Sequence, residues 1–432
     1  MINMFLKNGL IFCVLFISIS SIYAQMYGEE HTCSDNTFCY CGNMLNSSKQ
    51  ISIFDDLNNC QYKGLQIFNQ NNIELNCLGN TITSQTFRDS GVVIENSNNI
   101  LLKHCDISKF NHGVEIRNSS DVIIENVTAT QNHGAGIALF NSTNITIKSS
   151  ELSNNSWDGI FLHNSSSNTI RNNTIQYNQI DGIQIFYNSF ENIISNNDLR
   201  YNYGHAIAPI VCNNTIDISN IGGDGRAILY REYEDSLIID GSNQYSEIIL
   251  CGIENFELTD IEIINSYKER GDGILLLHST NGEIRNSLFK YVRTGVYVYN
   301  SSNLVIENSI FNESQYGVRF YGRSNNIILS NNDFYFNDYV LNIKNSTNIN
   351  IQKALILNTN YDVILNSSRA SIITKENILT LEGEVYLIEK NDSNFIEFLK
   401  NKWIIICLVV GIIAFSLVGL FLINCYIKSR EV

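Results

Sequence analysis

A glycine recurs every 22 or 23 residues along much of this chain and each time opens the same short phrase. The phrases run Gly91-Val-Val-Ile, Gly113-Val-Glu-Ile, Gly136-Ile-Ala-Leu, Gly159-Ile-Phe-Leu and Gly182-Ile-Gln-Ile. After a break they resume as Gly273-Ile-Leu-Leu, Gly295-Val-Tyr-Val and Gly317-Val-Arg-Phe. A fixed period of this length marks a solenoid, in which each repeat buries its apolar face only against its neighbours.

The repeat beginning at Gly113 shows what one unit encodes. Val114 and Ile116 alternate with Glu115 and Arg117, the pattern of a half-buried strand. Asn118-Ser-Ser is a turn, Val122 to Glu125 a second strand, and Val127-Thr128 begins a third. A helical solenoid would need apolar residues at i, i+3 and i+4, which are absent. The expected fold is all-β, a right-handed parallel β-helix of 22–23-residue coils. Asparagines recur five residues after the glycine (Asn96, Asn118, Asn141, Asn164, Asn300) and near position thirteen (Asn126, Asn172, Asn286, Asn308). Both columns are expected to be turn residues or rungs of a side-chain ladder between coils about 4.8 Å apart. Tyr339 and Tyr361 continue the period where glycine is lost.

The ends read differently. Residues 1–24 have the charge, apolar core and small-residue cleavage site of a signal peptide. The apolar, uncharged run in 403–427, with Trp403 and Tyr426 at its ends, is long enough to cross a bilayer. The expected organisation is a signal peptide (1–24), a cysteine-rich cap (25–50) and the β-helix (51–390, with an irregular excursion at about 205–250). A juxtamembrane segment (391–402), one transmembrane helix (403–427) and a cytoplasmic tail (428–432) follow. This describes a single-pass type I protein of the cell membrane with an extracellular ectodomain. Eight cysteines fall outside the two apolar ends: Cys33, Cys39, Cys41, Cys60, Cys77, Cys105, Cys212 and Cys251. In an oxidising compartment they are expected to form disulfides, whose connectivity sequence alone leaves open. Asn118, Asn126, Asn141, Asn144, Asn164, Asn300, Asn345 and Asn391 lie in glycosylation sequons.

Where the repeat lapses, Asn213-Asn-Thr-Ile, Gly225-Arg-Ala-Ile-Leu-Tyr, Ile248-Ile-Leu-Cys-Gly-Ile and Asp272-Gly-Ile-Leu-Leu resemble an element recurring in NosD-like β-helix proteins. These carry CASH-type repeats (carbohydrate-binding proteins and sugar hydrolases). Asp56-Leu-Asn-Asn-Cys60 and Ile73-Glu-Leu-Asn-Cys77 are similar to the first coils of exported members. The likeness covers roughly residues 30–370. It implies an extracytoplasmic protein that binds or modifies polysaccharide or, in the namesake branch, one linked to copper delivery.

For chemistry, the spacing brings Asp158 and Asp181 to the same place in adjacent coils, both just before the coil glycine, with His133 at the same turn. Carboxylates that close perturb one another, and a neighbouring imidazole could move a proton. The competing reading is that Asp-Gly is a common turn pair. No cofactor is expected. Copper would need convergent imidazoles or thioethers, and beyond the initiator the methionines are only Met4, Met26 and Met44; calcium is the other metal such a surface could carry. A net charge of −15 disfavours nucleic acid and acidic polymers, and a polyuronate would need a local basic groove, whereas the basic residues are scattered. Tyr187, Tyr297, Tyr299, Phe320 and Tyr321 are candidates for a sugar platform. The best functional reading is a cell-surface protein with a non-catalytic role in glycan recognition or in the envelope. The alternatives are a polysaccharide lyase, epimerase or hydrolase, and a spacer or adhesin for a protein partner.

Overall fold

The computed structural model describes residues 32–33, 39–45, 49–241, 244–265 and 271–357, and the backbone of four further strands between 361 and 389. The expected signal peptide, most of the cap, the transmembrane helix and the tail lie outside the described residues, as does Asn391.

One repeat becomes one coil. Val114–Arg117, Ser120–Glu125 and Thr128–Thr130 are strands separated by turns. Each pairs in parallel with its counterpart in the next coil, in the register Val114↔Ile137↔Ile160↔Ile183. The chain winds into a right-handed parallel β-helix of about 13 coils, and no helix occurs among the described residues. It is built as two stacks. In the first, one face is a nine-stranded sheet from Thr32–Cys33 to Ile207–Pro209, and the second an eight-stranded sheet from Gln50–Ser52 to Thr215–Ile216. The third face is four-stranded and then continues as single bridges through Glu151, Thr174, Asp198 and Ile221. The second stack has two eight-stranded faces and one five-stranded face. The segment where the repeat phrase lapses carries strands of its own: Ala227–Glu232 pairs with Tyr245–Cys251, and Leu237–Asp240 with Phe256–Thr259.

The core follows from the alternation. Val114, Ile116, Val122, Ile124, Val127 and Ala129 are fully buried, and each valine or isoleucine contributes about 1.5–3 kcal/mol. The glycines are required by space. A Cβ on Gly136 or Gly159 would stand 2.8 Å from the carbonyl oxygen of the next coil's glycine.

Both asparagine columns noted in the sequence are left-handed residues: Asn118, Asn141 and Asn164 at φ 47–50°, and Asn126 and Asn172 at φ 51° and 55°. Asn tolerates this conformation better than most residues. Their ladder is exposed and partial, with Asn164 donating to Asn141 at 2.8 Å. The buried ladders use other asparagines. Asn155 donates to Asn178, and Asn178 to Asn202, each through both the backbone N–H and Nδ2 at 3.0 Å.

All eight candidate cysteines are paired: Cys33–Cys39, Cys41–Cys60, Cys77–Cys105 and Cys212–Cys251. The last joins the end of the first stack to the second. Of the sequon asparagines, Asn118, Asn126, Asn141, Asn144, Asn164 and Asn345 are exposed and Asn300 is half-buried.

Candidate functional site

The position just before the coil glycine holds Asp158 and Asp181, and there the side chain caps the next coil. Asp158 Oδ1 accepts the backbone N–H of Asp181 at 2.9 Å, and Asp181 Oδ1 accepts that of His205 at 2.7 Å. His112 does the same two coils before Asp158, its Nδ1 accepting the N–H of Ala135 at 3.0 Å. Asp158 is 1% exposed. Burial, and then the neighbouring Asp181, push its carboxyl up to about 8, so it is held protonated at neutral pH. His133 is exposed, with its ring against Phe87, and no hydrogen bond or ion pair joins it to either aspartate. The structure therefore brings the two aspartates together in a backbone-capping column and leaves His133 out of it.

The ladder ends at a cleft of about 180 Å³ at the seam of the two stacks. The nine-stranded face stops at Ile207–Pro209, and side chains from Thr294–Tyr299 and Tyr316–Tyr321 form the opposite wall. Turns of the two stacks touch here. Arg293 lies 3.8 Å from Asp181, and the Tyr203 hydroxyl donates to Gln315 at 3.1 Å.

At the floor, His205 Nδ1 lies 2.7 Å from Glu247 Oε1 and 3.2 Å from Asp272 Oδ2. Glu247 Oε2 accepts the N–H of Ala206 at 3.0 Å, and Arg293 Nε donates to Asp272 at 3.1 Å. His205, Glu247 and Asp272 are all buried. Burial opposes the charge on His205, but Asp272 and then Glu247 outweigh it and raise the imidazole above its ordinary value. Burial also raises Asp272, yet Arg293 and His205 hold it below the usual carboxylate range. Glu247 moves up, with burial the larger influence. The lowered Asp272 gives a proton on Nδ1 a carboxylate acceptor at 3.2 Å. Nε2 has no partner among the described residues and opens on the cleft.

The wall is aromatic. The Tyr297 ring meets His205 edge-on at 5.6 Å and stacks on Tyr321 at 5.5 Å; burial pushes its hydroxyl up to about 12. Arg319 sits 5.2, 4.7 and 4.9 Å from the ring centres of Tyr297, Tyr316 and Tyr321. An aromatic row leads here along the outer surface of the nine-stranded face. Phe140 is 5.8 Å from Phe161, Phe161 6.3 Å from Phe186, and His163 5.7 Å from Tyr187. Of the expected platform, Tyr187, Tyr297, Tyr299 and Tyr321 reach the outer surface. Phe320 does not: strand alternation turns it into the core, where it is fully buried.

Sequence reading missed Glu247, Arg293 and Arg319. The available signal was Glu247, a carboxylate standing in the glycine register position at the start of the apolar run Ile248-Ile249-Leu250.

Two family descriptions match. "Right handed beta helix region" covers residues 23–199 and 73–232, and "Periplasmic copper-binding protein (NosD)" covers 231–402. The chain belongs to the NosD-like right-handed β-helix repeat family. No curated protein matches the sequence. Among solved structures it is similar to a hyperthermoactive exopolygalacturonase from Thermotoga maritima, at 12% identity over 71% of this chain and 88% of that one, with a TM-score of 0.28. The A-module of mannuronan C-5 epimerase AlgE4 from Azotobacter vinelandii is 14% identical over 77% and 86%, TM-score 0.31. The adhesin PfbA of Streptococcus pneumoniae is 13% identical over 76% and 88%, TM-score 0.28. At these values the activities of those proteins stay with them.

The NosD description prompts a test for copper, and the donors do not fit. Every described cysteine is in a disulfide, His205 Nδ1 is taken by carboxylates and His112 Nδ1 by a backbone N–H. Among the described residues no three His, Cys, Asp or Glu side chains converge as metal ligands.

Proposed function

We propose that this NosD-like protein is exported, anchored in the cell membrane by residues 403–427, and recognises glycan chains on its outer sheet surface without cleaving them. The observation that carries the reading is the aromatic row from Phe140 to Tyr187 leading to the tyrosine-walled cleft. Aromatic faces of this kind offer large apolar area with few rotatable bonds and suit the C–H faces of sugar rings. Four disulfides support an oxidising compartment. The test is binding of the full-length protein to a panel of neutral and acidic polysaccharides. Phe161→Ala and Tyr321→Ala are each expected to weaken binding about fivefold, from a stacking contribution of about 1 kcal/mol. Failure of every glycan to bind would sink the proposal.

One observation favours a second reading, a polysaccharide-acting enzyme. His205 has a carboxylate behind Nδ1 and Nε2 open to the cleft, the layout of a general acid–base residue. Turnover measured as product size, abolished in His205→Gln with the fold intact, would establish it. The acid–base group would then be His205, with Asp158 and Asp181 supporting the backbone beneath it.

A further inference from the structure

The charges at the floor of the cleft satisfy one another. Arg293 is matched by Asp272 and faces Asp181, and His205 lies between Glu247 and Asp272. Arg319 on the wall is different. It forms no ion pair among the described residues, although the chain as a whole carries fifteen more acidic than basic side chains. One Nη2 N–H goes to the Tyr321 hydroxyl at 3.0 Å, and its Nε is buried without a hydrogen-bond partner. A guanidinium half removed from water and unpaired is costly to keep, and its planar fork matches a carboxylate better than any other common group. The Tyr297 ring touches both this guanidinium and the His205 imidazole, so Arg319 and the open Nε2 face one space.

We infer that the cleft is the subsite for a single uronic acid unit of a bound glycan, its carboxylate held by Arg319 and His205 Nε2 and its ring against Tyr297 and Tyr321. The inference rests on the glycan-binding reading and specifies its ligand. Size agrees, since about 180 Å³ is below the 300–1,000 Å³ typical of sites for larger ligands. Along the aromatic row outside the cleft the neighbouring cation is Arg117, already paired with Glu115, whereas Lys344 stands beyond the wall, 5.8 Å from the Tyr321 ring centre. On the side of the row the adjoining subsites therefore suit uncharged sugars, and the ligand class is a heteropolysaccharide with spaced uronates. A dense polyuronate would meet the field of the acidic surface.

The experiment is titration calorimetry of the full-length protein with oligosaccharides containing glucuronate or galacturonate, with the same oligosaccharides after reduction of their carboxyl groups, and with sulfated neutral oligosaccharides. The acidic form should bind at least tenfold more tightly than its reduced counterpart. Arg319→Gln should bring that ratio most of the way to one, the remainder belonging to His205 Nε2, and Arg319→Lys should give an intermediate ratio. Arg319 points away from the core, so melting temperatures should be retained; should the Gln variant fail to fold, the Lys variant carries the comparison. Equal affinity for acidic and reduced forms overturns the inference and leaves glycan recognition standing, as does tighter binding of the sulfated form. If neither form binds, the parent reading falls as well.

Discussion

Asp158 lets the logic of the capping column be tested directly. Its carboxyl is raised to about 8 in the fold by burial and by Asp181, whereas an unfolded aspartate titrates near 3.9. The folded value is the higher one, so the favourable contribution is complete below about pH 4 and is lost as pH rises through 8. At pH 7 the penalty reaches at most about 4 kcal/mol, three pH units at 1.36 kcal/mol each. Asp158→Asn keeps Oδ1 in place to accept the Asp181 N–H and cannot ionise. Its amide nitrogen needs an acceptor, which takes back about 1–2 kcal/mol. The variant should therefore be more stable than the parent by about 2 kcal/mol at pH 7–8, with no advantage at pH 4. Urea denaturation of both full-length proteins from pH 4 to 9 measures this as a midpoint difference that opens with pH. Stability curves that run parallel across that range would refute the assignment of a protonated Asp158.

Asn178→Ala orphans the buried N–H and Nδ2 of Asn155 and should cost about 2–6 kcal/mol in the same assay. Asn164→Gly, on the exposed ladder at φ 50°, should cost under about 0.5 kcal/mol. Gly159→Ala places a methyl 2.8 Å from the Gly182 carbonyl oxygen and 2.9 Å from Asn178 Nδ2. It should destabilise by about 3 kcal/mol, read as a fall in melting temperature. Replacing both Cys212 and Cys251 by serine opens a loop of 39 residues. The expected loss is about 4 kcal/mol, and reduction of the parent protein, which opens the other three disulfides as well, should cost more.

The coil was legible because its signals are local. Glycine, alternation and turn asparagine all fall within one repeat, and Val114–Arg117 and Ser120–Glu125 sit where those signals place them. The adjacency of Asp158 and Asp181 followed from their spacing alone. The buried ladder escaped notice because Asn155 and Asn178, four residues before the glycine, look in sequence like any other turn asparagine; only side-chain direction separates rung from turn. The cleft was less legible still. His205 meets Glu247 from 42 residues away, and Arg293 meets Asp181 only because the second stack turns its own coil corner against the first. No periodicity encodes that meeting, since it occurs where the period fails.

Stacking each coil on its neighbours has a mechanical consequence. Pulled from the C-terminal side, the second stack should yield one coil at a time, from Tyr361 to Tyr339 to Gly317 and onward. Each step would release 22 or 23 residues, roughly 75 Å of extended chain. At Cys251 the bond to Cys212 carries the load past the seam, so the segment between them should be skipped before the first stack yields, and a reductant should restore its missing length. In an optical trap the molecule would then act as a ruler with one locked division, and a single large rupture would show that its coils do not yield separately.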